Sequence, residues 1–303
     1  MVASIDELVS RAKELPPTKM AVAAAGDEAV LESVFRAWQE GIIEPVLVGD
    51  KEKIIEAQKE LNKDFAAEII EVENKKAAAD KVMELIAKGE ADFPMKGLLS
   101  SSIILRALMN KEYGLRQEGL LSLVTVIYLK REQRIVLLSD AGLNIAPDLK
   151  DKVEIIKNAV TIARSLGIEN PKVAPLAAVE EIKESMPATL EAAQLAKMAD
   201  RNQIKNCSID GPLALDNAIL PEAAKHKGIS GEVAGKADIL LTPDIEAGNI
   251  LYKAWILYAG FSSASVVYGA KVPLVLTSRA DSPKTKFNSI ALAKMVTLGL
   301  ADL

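Results

Sequence analysis

One cysteine and one histidine in 303 residues leave little of the chemistry that proteins usually build from those side chains. A disulfide needs two cysteines, and a buried metal cluster gathers several Cys or His ligands. A Ser/His/Asp relay would have to rest on His226 alone, and AAKHKG around it reads as the charged end of a helix. Cys207, in IKNCSIDGP, has no neighbouring Cys or His and reads as a packed structural thiol rather than an acyl acceptor. Aromatics are only 4% of a chain that is 50% apolar, so the core must be aliphatic. The 37 basic residues are dispersed among 42 acidic ones, giving a net charge of −5, and no Lys/Arg block is joined to aromatic spacers. A nucleic-acid surface therefore has little electrostatic support. The uncharged run at 254–270, AWILYAGFSSASVVYGA, has 17 residues with several Gly and Ser. That falls short of the ~20 strongly apolar residues of a spanning helix, so it is expected as buried structure and no membrane partner is expected. The start, MVASIDELVSRAKEL, gains charge too quickly for a secretory signal, and a chain with one cysteine suits the cytoplasm.

Short apolar runs alternate with longer amphipathic stretches along most of the sequence. KMAVAAAG is followed by DEAVLESVFRAWQEG, then PVLVG, then DKEKIIEAQKEL, which spells strand, helix, strand, helix. The first of these helices is expected from about Asp27 with Gly41 as its stop, and Asp50 stands where the next helix needs a cap. A further helix is expected over 74–89, and Pro94 in ADFPMKG argues against a long central strand there. GLLSLVTVIYL and RIVLLSD read as strands separated by KREQ, which marks either a hairpin turn or a domain margin. Beyond Asp140, DKVEIIKNAVTIARSLG and TLEAAQLAKMADRNQ read as helices. PKVAPLAA, 206–209, ADILLTP and KVPLVLTSR read as β-prone pieces. Repeated βα units of this kind predict an α/β fold with mostly parallel sheets flanked by helices.

Parallel sheets gather ligand groups in the loops beyond the strand C-termini. Five such loops here combine Gly or Pro with charged or amide residues: ADFPMKG, LLSDAGLNIAPDL, SIDGPLALD, LLTPDIEAGNILYK and LTSRAD. Together, in this order and spacing, they resemble the phosphate acyltransferases, the phosphotransacetylases and above all the phosphate butyryltransferases, over nearly the whole chain. The most specific stretches are DAGLNIAPDLKDKVEII, PKVAPLAAVE, DGPLALDNA, AGKADILLTPDIEAGNILYK and GAKVPLVLTSRADSPKTKFNSIALA. The resemblance implies reversible transfer of a short acyl group between an acyl phosphate and coenzyme A. No cofactor is implied, coenzyme A and inorganic phosphate being substrates, and a homodimer or larger homo-oligomer is expected. It further implies two three-layer αβα domains of the isocitrate/isopropylmalate dehydrogenase type with the active site in the interdomain cleft. Domain I would hold residues 1–130 plus 269–303 and domain II residues 131–268.

Carried over residue by residue, Ser278 in TSRAD resembles the serine that hydrogen-bonds the developing transition state, and Arg279 matches the arginine of the phosphate site. A guanidinium offers two parallel donors to phosphate oxygens. Arg116, in YGLRQEG, is a candidate second phosphate donor. Lys96 with Gly97 is a candidate for the phosphate end or for domain closure, against a plain surface-loop lysine. Asp210 serves either the cleft or an Asx turn. Asn249 and Lys253, four apart, share a helical face and either touch ligand or act as a cap and a solvated lysine. Asp140 and Asn144 fit a loop after a strand, with too few carboxylates near them for a metal. Acetyl-transferring relatives place an aspartate seven residues after the serine as the base for coenzyme A; here Thr285 and then Lys286 follow. A thiol needs only a modest shift to ionise, so a nearby cation such as Lys286 is a candidate for that task. The TSRADSPKTK form leans toward butyryl. The alternatives are a phosphate acetyltransferase and an inactive protein that binds coenzyme A or another metabolite. A nicotinamide-dependent oxidoreductase is disfavoured because no early GxGxxG is present.

Overall fold

The computed structural model describes residues 1–62, 67–278 and 280–299. Its chain forms two compact units, one of Ile5–Glu118 with the chain from Ser263 onward, the other of Met1–Ser4 with Gly119–Ser262. In the first, α1 (Ile5–Glu14) precedes β1 (Thr18–Ala23), α2 (Glu28–Gln39), β2 (Ile43–Gly49), α3 (Lys51–Glu60), β3 (Glu68–Glu71), α4 (Lys75–Ala87), β4 (Phe93–Lys96) and α5 (Ser101–Leu108). The strands pair in parallel in the order β3-β2-β1-β4. Three helices start on a side-chain cap: Asp27 accepts from the Val30 N–H, Asp50 from Lys53, and Asn74 from Lys76 and Ala77. Strand order reverses between β1 and β4, so right-handed crossovers send α2 and α3 to one face and α4 to the other. The loops at that reversal are the natural place for a ligand. β3 is not announced by the sequence, because EIIE is short with charged ends and gains strand form only by pairing with the edge of β2.

In the second unit β5 (Ser122–Leu129) and β6 (Arg134–Ser139) pair antiparallel, so KREQ is a hairpin turn, with Gln133 at φ 51°. There follow α6 (Leu149–Ser165), β7 (Lys172–Pro175), α7 (Pro187–Asp200), β8 (Ser208–Ile209), α8 (Leu215–Ile219), α9 (Pro221–His226), β9 (Ile239–Leu241) and α10 (Ile245–Lys253). Within this unit the strands run β5-β6-β9-β7-β8, with β6, β9, β7 and β8 mutually parallel. The aliphatic core expected from composition is here Ile127, Leu138, Ala174, Leu213 and Leu240 with their neighbours. The 254–270 run departs from expectation in its first half. Ala254–Tyr258 is a π-helical turn in which Trp255 and Ile256 pack on this core, leaving Leu257 and Tyr258 50% and 92% exposed. Only one side of a helical turn can face the core, so an uninterrupted apolar run must show some of its residues to water.

The chain then re-enters the first unit with β10 (Ser263–Tyr268), buried throughout, and α11 (Pro283–Gly299), which packs on it. Asn288 donates to the Ser263 carbonyl at 3.1 Å, and the Ser265 N–H donates to the Ser289 hydroxyl at 2.9 Å. Of the β-prone run at 271–279, the described residues 271–278 form only isolated bridges, Val267 with Leu274 and Met95 with Val275. Pro273 has no N–H with which to continue a ladder. Pro94 is tolerated in β4 because that strand is only four residues long. Its carbonyl accepts from the Val275 N–H at 3.0 Å, and the Lys96 N–H returns a bond to the Val275 carbonyl at 2.9 Å. No helix among the described residues is long and apolar enough to cross a membrane.

Candidate functional site

In the first unit the parallel bridge between Met95 and Val275 lays the 273–278 segment along β4, so Lys96 and Ser278 emerge at the same edge of the sheet. Ser278 is exposed, while its neighbours Thr277 and Asp281 are buried. Its N–H donates to the Asp281 carboxylate at 2.7 Å, and its carbonyl accepts from the Asp281 N–H at 3.2 Å. The hydroxyl accepts from the Ala280 N–H at 3.3 Å, which leaves its own proton to donate outward. No histidine is among the described residues of that arrangement. Arg279 lies outside the described residues.

Lys96 corrects the loop-lysine expectation. It closes β4 with only 8% exposure, and its ammonium reaches back 3.4 Å to the carbonyls of Gly97 and Leu99. Gly97 is forced by close approach: a Cβ there would stand 2.3 Å from the Ala24 carbonyl oxygen and 2.6 Å from that of Ala23. Those two carbonyls accept from the N–H groups of Leu98 and Gly97, at 2.8 Å each, and so pin the β4–α5 turn against the end of β1. At the end of that turn Ser100 stands at the N-cap of α5 with no side-chain cap bond, its hydroxyl lying 3.0 Å from that of Ser102. An uncapped N-terminus presents free N–H groups to an anion. Sequence reasoning passed over the SSS run, whose signal was the absence of any capping partner three residues on.

Arg116 is exposed in the stretch after α5 and is fixed through its backbone by a bridge to Ala270. It lines a depression of about 760 Å³ together with Lys76, Arg106 and Lys111. Arg106, Lys111 and Arg116 have no ion pair among the described residues, whereas Lys76 pairs with Asp80 at 3.1 Å. Arg106 was not singled out by the sequence reading, being hidden in what reads as an ordinary amphipathic helix.

The second unit gathers a different set. Asp140, at the end of β6, is buried and accepts from the N–H groups of Gly142 (2.7 Å) and Leu143 (3.0 Å) and from Asn144 (2.6 Å). Burial still pushes its pKa above the usual carboxylate value. Asp140 and Asn144 thus build the loop itself. Asn249, on α10, donates to the Ala141 carbonyl at 3.1 Å and ties that helix to the same loop, while Lys253 at the end of α10 is exposed. Asp244, not Asn249, is the helix cap, accepting from Ala247. Asp210 is half-buried after β8, with its pKa raised chiefly by desolvation and opposed by the Gly211 N–H. Beside the ends of β7 and β9, Leu176, Met186, Leu215, Thr242 and Leu251 line a cavity of about 480 Å³. The Cys207 thiol is pushed up to about 11 by burial, which makes it a poor nucleophile. Among the described residues no group of three or more His, Cys, Asp or Glu is placed to hold a metal ion.

A family model described as "Phosphate acetyl/butaryl transferase" matches residues 73–294. The chain belongs to this family. A phosphate butyryltransferase of Clostridium beijerinckii is 48% identical over 297 residues, 98% of this chain and 98% of the relative. A phosphate acetyltransferase of Thermotoga maritima is 48% identical over 276 residues, 91% of this chain and 94% of its own length. Among solved structures, a branched-chain phosphotransacylase from Enterococcus faecalis V583 aligns with a TM-score of 0.81 at 30% identity, covering 92% of this chain and 99% of that one. As a member of the family the chain is an enzyme of reversible acyl transfer between an acyl phosphate and coenzyme A. Its α/β fold, with parallel strands β3-β2-β1-β4 and β6-β9-β7-β8 and an antiparallel β5–β6 pair, is consistent with that of the phosphate acyltransferases.

Proposed function

We propose that this phosphate acyltransferase transfers butyryl in preference to acetyl, through a ternary complex of acyl phosphate and coenzyme A, with no acyl-enzyme intermediate. The observation that carries the reading is the shared sheet edge at Lys96 and Ser278, where an outward-directed serine hydroxyl and the uncapped start of α5 stand on adjoining segments. In the forward direction the thiolate sulfur attacks the acyl carbonyl carbon and the carbonyl electrons move to oxygen. The collapsing tetrahedral species then expels phosphate, and thioester and inorganic phosphate leave. Ser278 donates to the developing oxyanion. Arg279, Arg106 and Arg116 hold phosphate oxygens, and the N–H groups of α5 add donors of the same sign. Asp210, Asn249 and Lys253 contact substrate, and Lys96 supports the turn on which the phosphate rests. A domain division at 1–130 plus 269–303 and 131–268, the isocitrate dehydrogenase-like architecture, a homo-oligomeric state and a cytoplasmic setting belong to the same proposal.

Turnover of acyl phosphates from two to five carbons with coenzyme A tests it. The expected result is the highest kcat/KM for butyryl phosphate, with Arg279→Ala depressing every substrate by about 100-fold or more. Equal rates for Arg279→Ala and the parent chain would overturn the assignment. The second reading, acetyl as the preferred group, is supported by 48% identity to the Thermotoga maritima acetyltransferase. A higher kcat/KM for acetyl phosphate would establish it. One or two methylenes are worth only about 1–3 kcal/mol in a pocket, so the ratio is expected to be modest.

A further inference from the structure

The loop that carries Ser278 is held from beneath by a charge to which the reaction assigns no task. Lys286, on the first turn of α11, is 3% exposed. Its ammonium donates to the Asp281 carbonyl at 2.5 Å and to the Ser278 carbonyl at 3.1 Å. Thr285, one residue earlier, is occupied in starting the helix: its N–H donates to the Ser282 hydroxyl at 3.1 Å, and its own hydroxyl lies 3.1 Å from the same oxygen. Neither side chain is therefore disposed to take a proton from a thiol. A lysine of ordinary pKa would not be expected inside a protein without cause, since burial penalises its charge. Here burial does lower its pKa, while Asp281 and Asp27 act in the opposite sense.

The bonds around Ser278 form a closed set. Its N–H is taken by the Asp281 carboxylate, its carbonyl by the Lys286 ammonium and the Asp281 N–H, and its hydroxyl lone pair by the Ala280 N–H. Two buried charged groups of opposite sign thus grip the two backbone atoms flanking one exposed hydroxyl. We propose that Lys286 is the positioning residue of this phosphate acyltransferase: by binding the Ser278 and Asp281 carbonyls it fixes the direction in which the Ser278 hydroxyl donates to the acyl-transfer transition state. The proposal rests on the role assigned to Ser278 above. It also replaces the sequence expectation that Lys286 acts on the thiol, because an ammonium engaged by two carbonyls beneath the loop faces the backbone and not the substrates.

A double-mutant cycle tests it with butyryl phosphate and coenzyme A: the parent chain, Lys286→Met, Ser278→Ala and the double variant, each checked for folding by thermal melting. Lys286→Met is expected to lower kcat about 10- to 100-fold while KM for either substrate moves less than about threefold, and to cost less than about twofold once Ser278 is already alanine. Lys286→Gln, which keeps one donor without the charge, is expected to fall between the parent and Lys286→Met, and serves in its place if the methionine variant does not fold. If Ser278→Ala turns over at the parent rate, the role of Ser278 fails and the Lys286 proposal falls with it. If Ser278→Ala is slow but the Lys286 substitution costs the same factor in both backgrounds, the serine reading stands and the Lys286 proposal is overturned.

Discussion

At the residue scale, Gly248, like Gly97, decides where a loop can go. Gly248 on α10 would carry a Cβ 2.4 Å from the Asp140 carbonyl oxygen and 2.8 Å from the Thr242 hydroxyl, so its bareness lets α10 close on the loop that Asp140 builds. Gly248→Ala must push that loop away, at a cost of about 1–3 kcal/mol, readable in urea unfolding. The sequence shows Gly in EAGN but not its opposing carbonyl, which comes from a residue more than a hundred positions away. The cations tell a similar story. Arg116 stands out in the sequence because it falls in a turn; Arg106 does not, because one arginine on an amphipathic helix has the same spacing as any solvated residue. Only folding brings both to one depression, which Asp80 and Glu112 also line, although neither arginine forms an ion pair among the described residues. Arg106→Ala is expected to raise KM for acyl phosphate or coenzyme A by about 10-fold with less effect on the Tm, measured by initial rates and melting. A KM unchanged in Arg106→Ala would separate it from the site.

At the element scale, helix starts were mostly legible. Asp50 caps α3 as expected, and the helices expected from about Asp27 and from 74 start one residue later, with Asp27 and Asn74 as the caps that accept their first N–H bonds. α5 is the exception: its cap residue Ser100 makes no side-chain cap bond. The two kinds of start predict opposite outcomes. Asn74→Ala should cost about 1 kcal/mol of stability and leave KM alone, because its side chain satisfies two backbone donors of α4. Ser100→Ala should change stability by less than about 0.5 kcal/mol, because its side chain caps nothing, and raise KM for acyl phosphate if the α5 donors hold the anion as proposed. Denaturant titrations and initial rates on the two variants make the comparison. The short pieces were the illegible ones. β3 is made a strand by β2, and residues 271–278 of the β-prone 271–279 run are reduced to two bridges by Pro273 and by neighbours on either side. Four-residue strands carry too little periodicity to be read without their partners.

At the scale of the whole molecule, α11 is buried on nearly all sides and brings Lys294 fully inside, where its ammonium donates to the Leu15 carbonyl at 3.0 Å. Burial takes its pKa from 10.5 to about 8. The unfolded chain then binds more protons than the native one between about pH 8 and pH 10.5, so this group withholds stability at neutral pH and returns it as pH rises through that window. Cys207, raised from 9.0 to about 11, acts in the opposite sense above pH 9. Lys294→Met should therefore be more stable than the parent at pH 7, by of order 1 kcal/mol or about 2–4 °C in Tm, with the gap narrowing by pH 9.5. A gap that does not change with pH would mean that packing, not charge, sets it. What the sequence by itself determined is what depends on local pattern and on residues that must occur together: the α/β class, most helix boundaries and the family. What only the tertiary structure decided is what depends on backbone atoms meeting from distant positions. The run of 273–278 beside β4, the grip of the Lys286 and Asp281 side chains on Ser278, and the burial of Lys96 all have backbone carbonyls or N–H groups as partners, and every residue carries the carbonyl, and every one but proline the N–H, whatever its side chain.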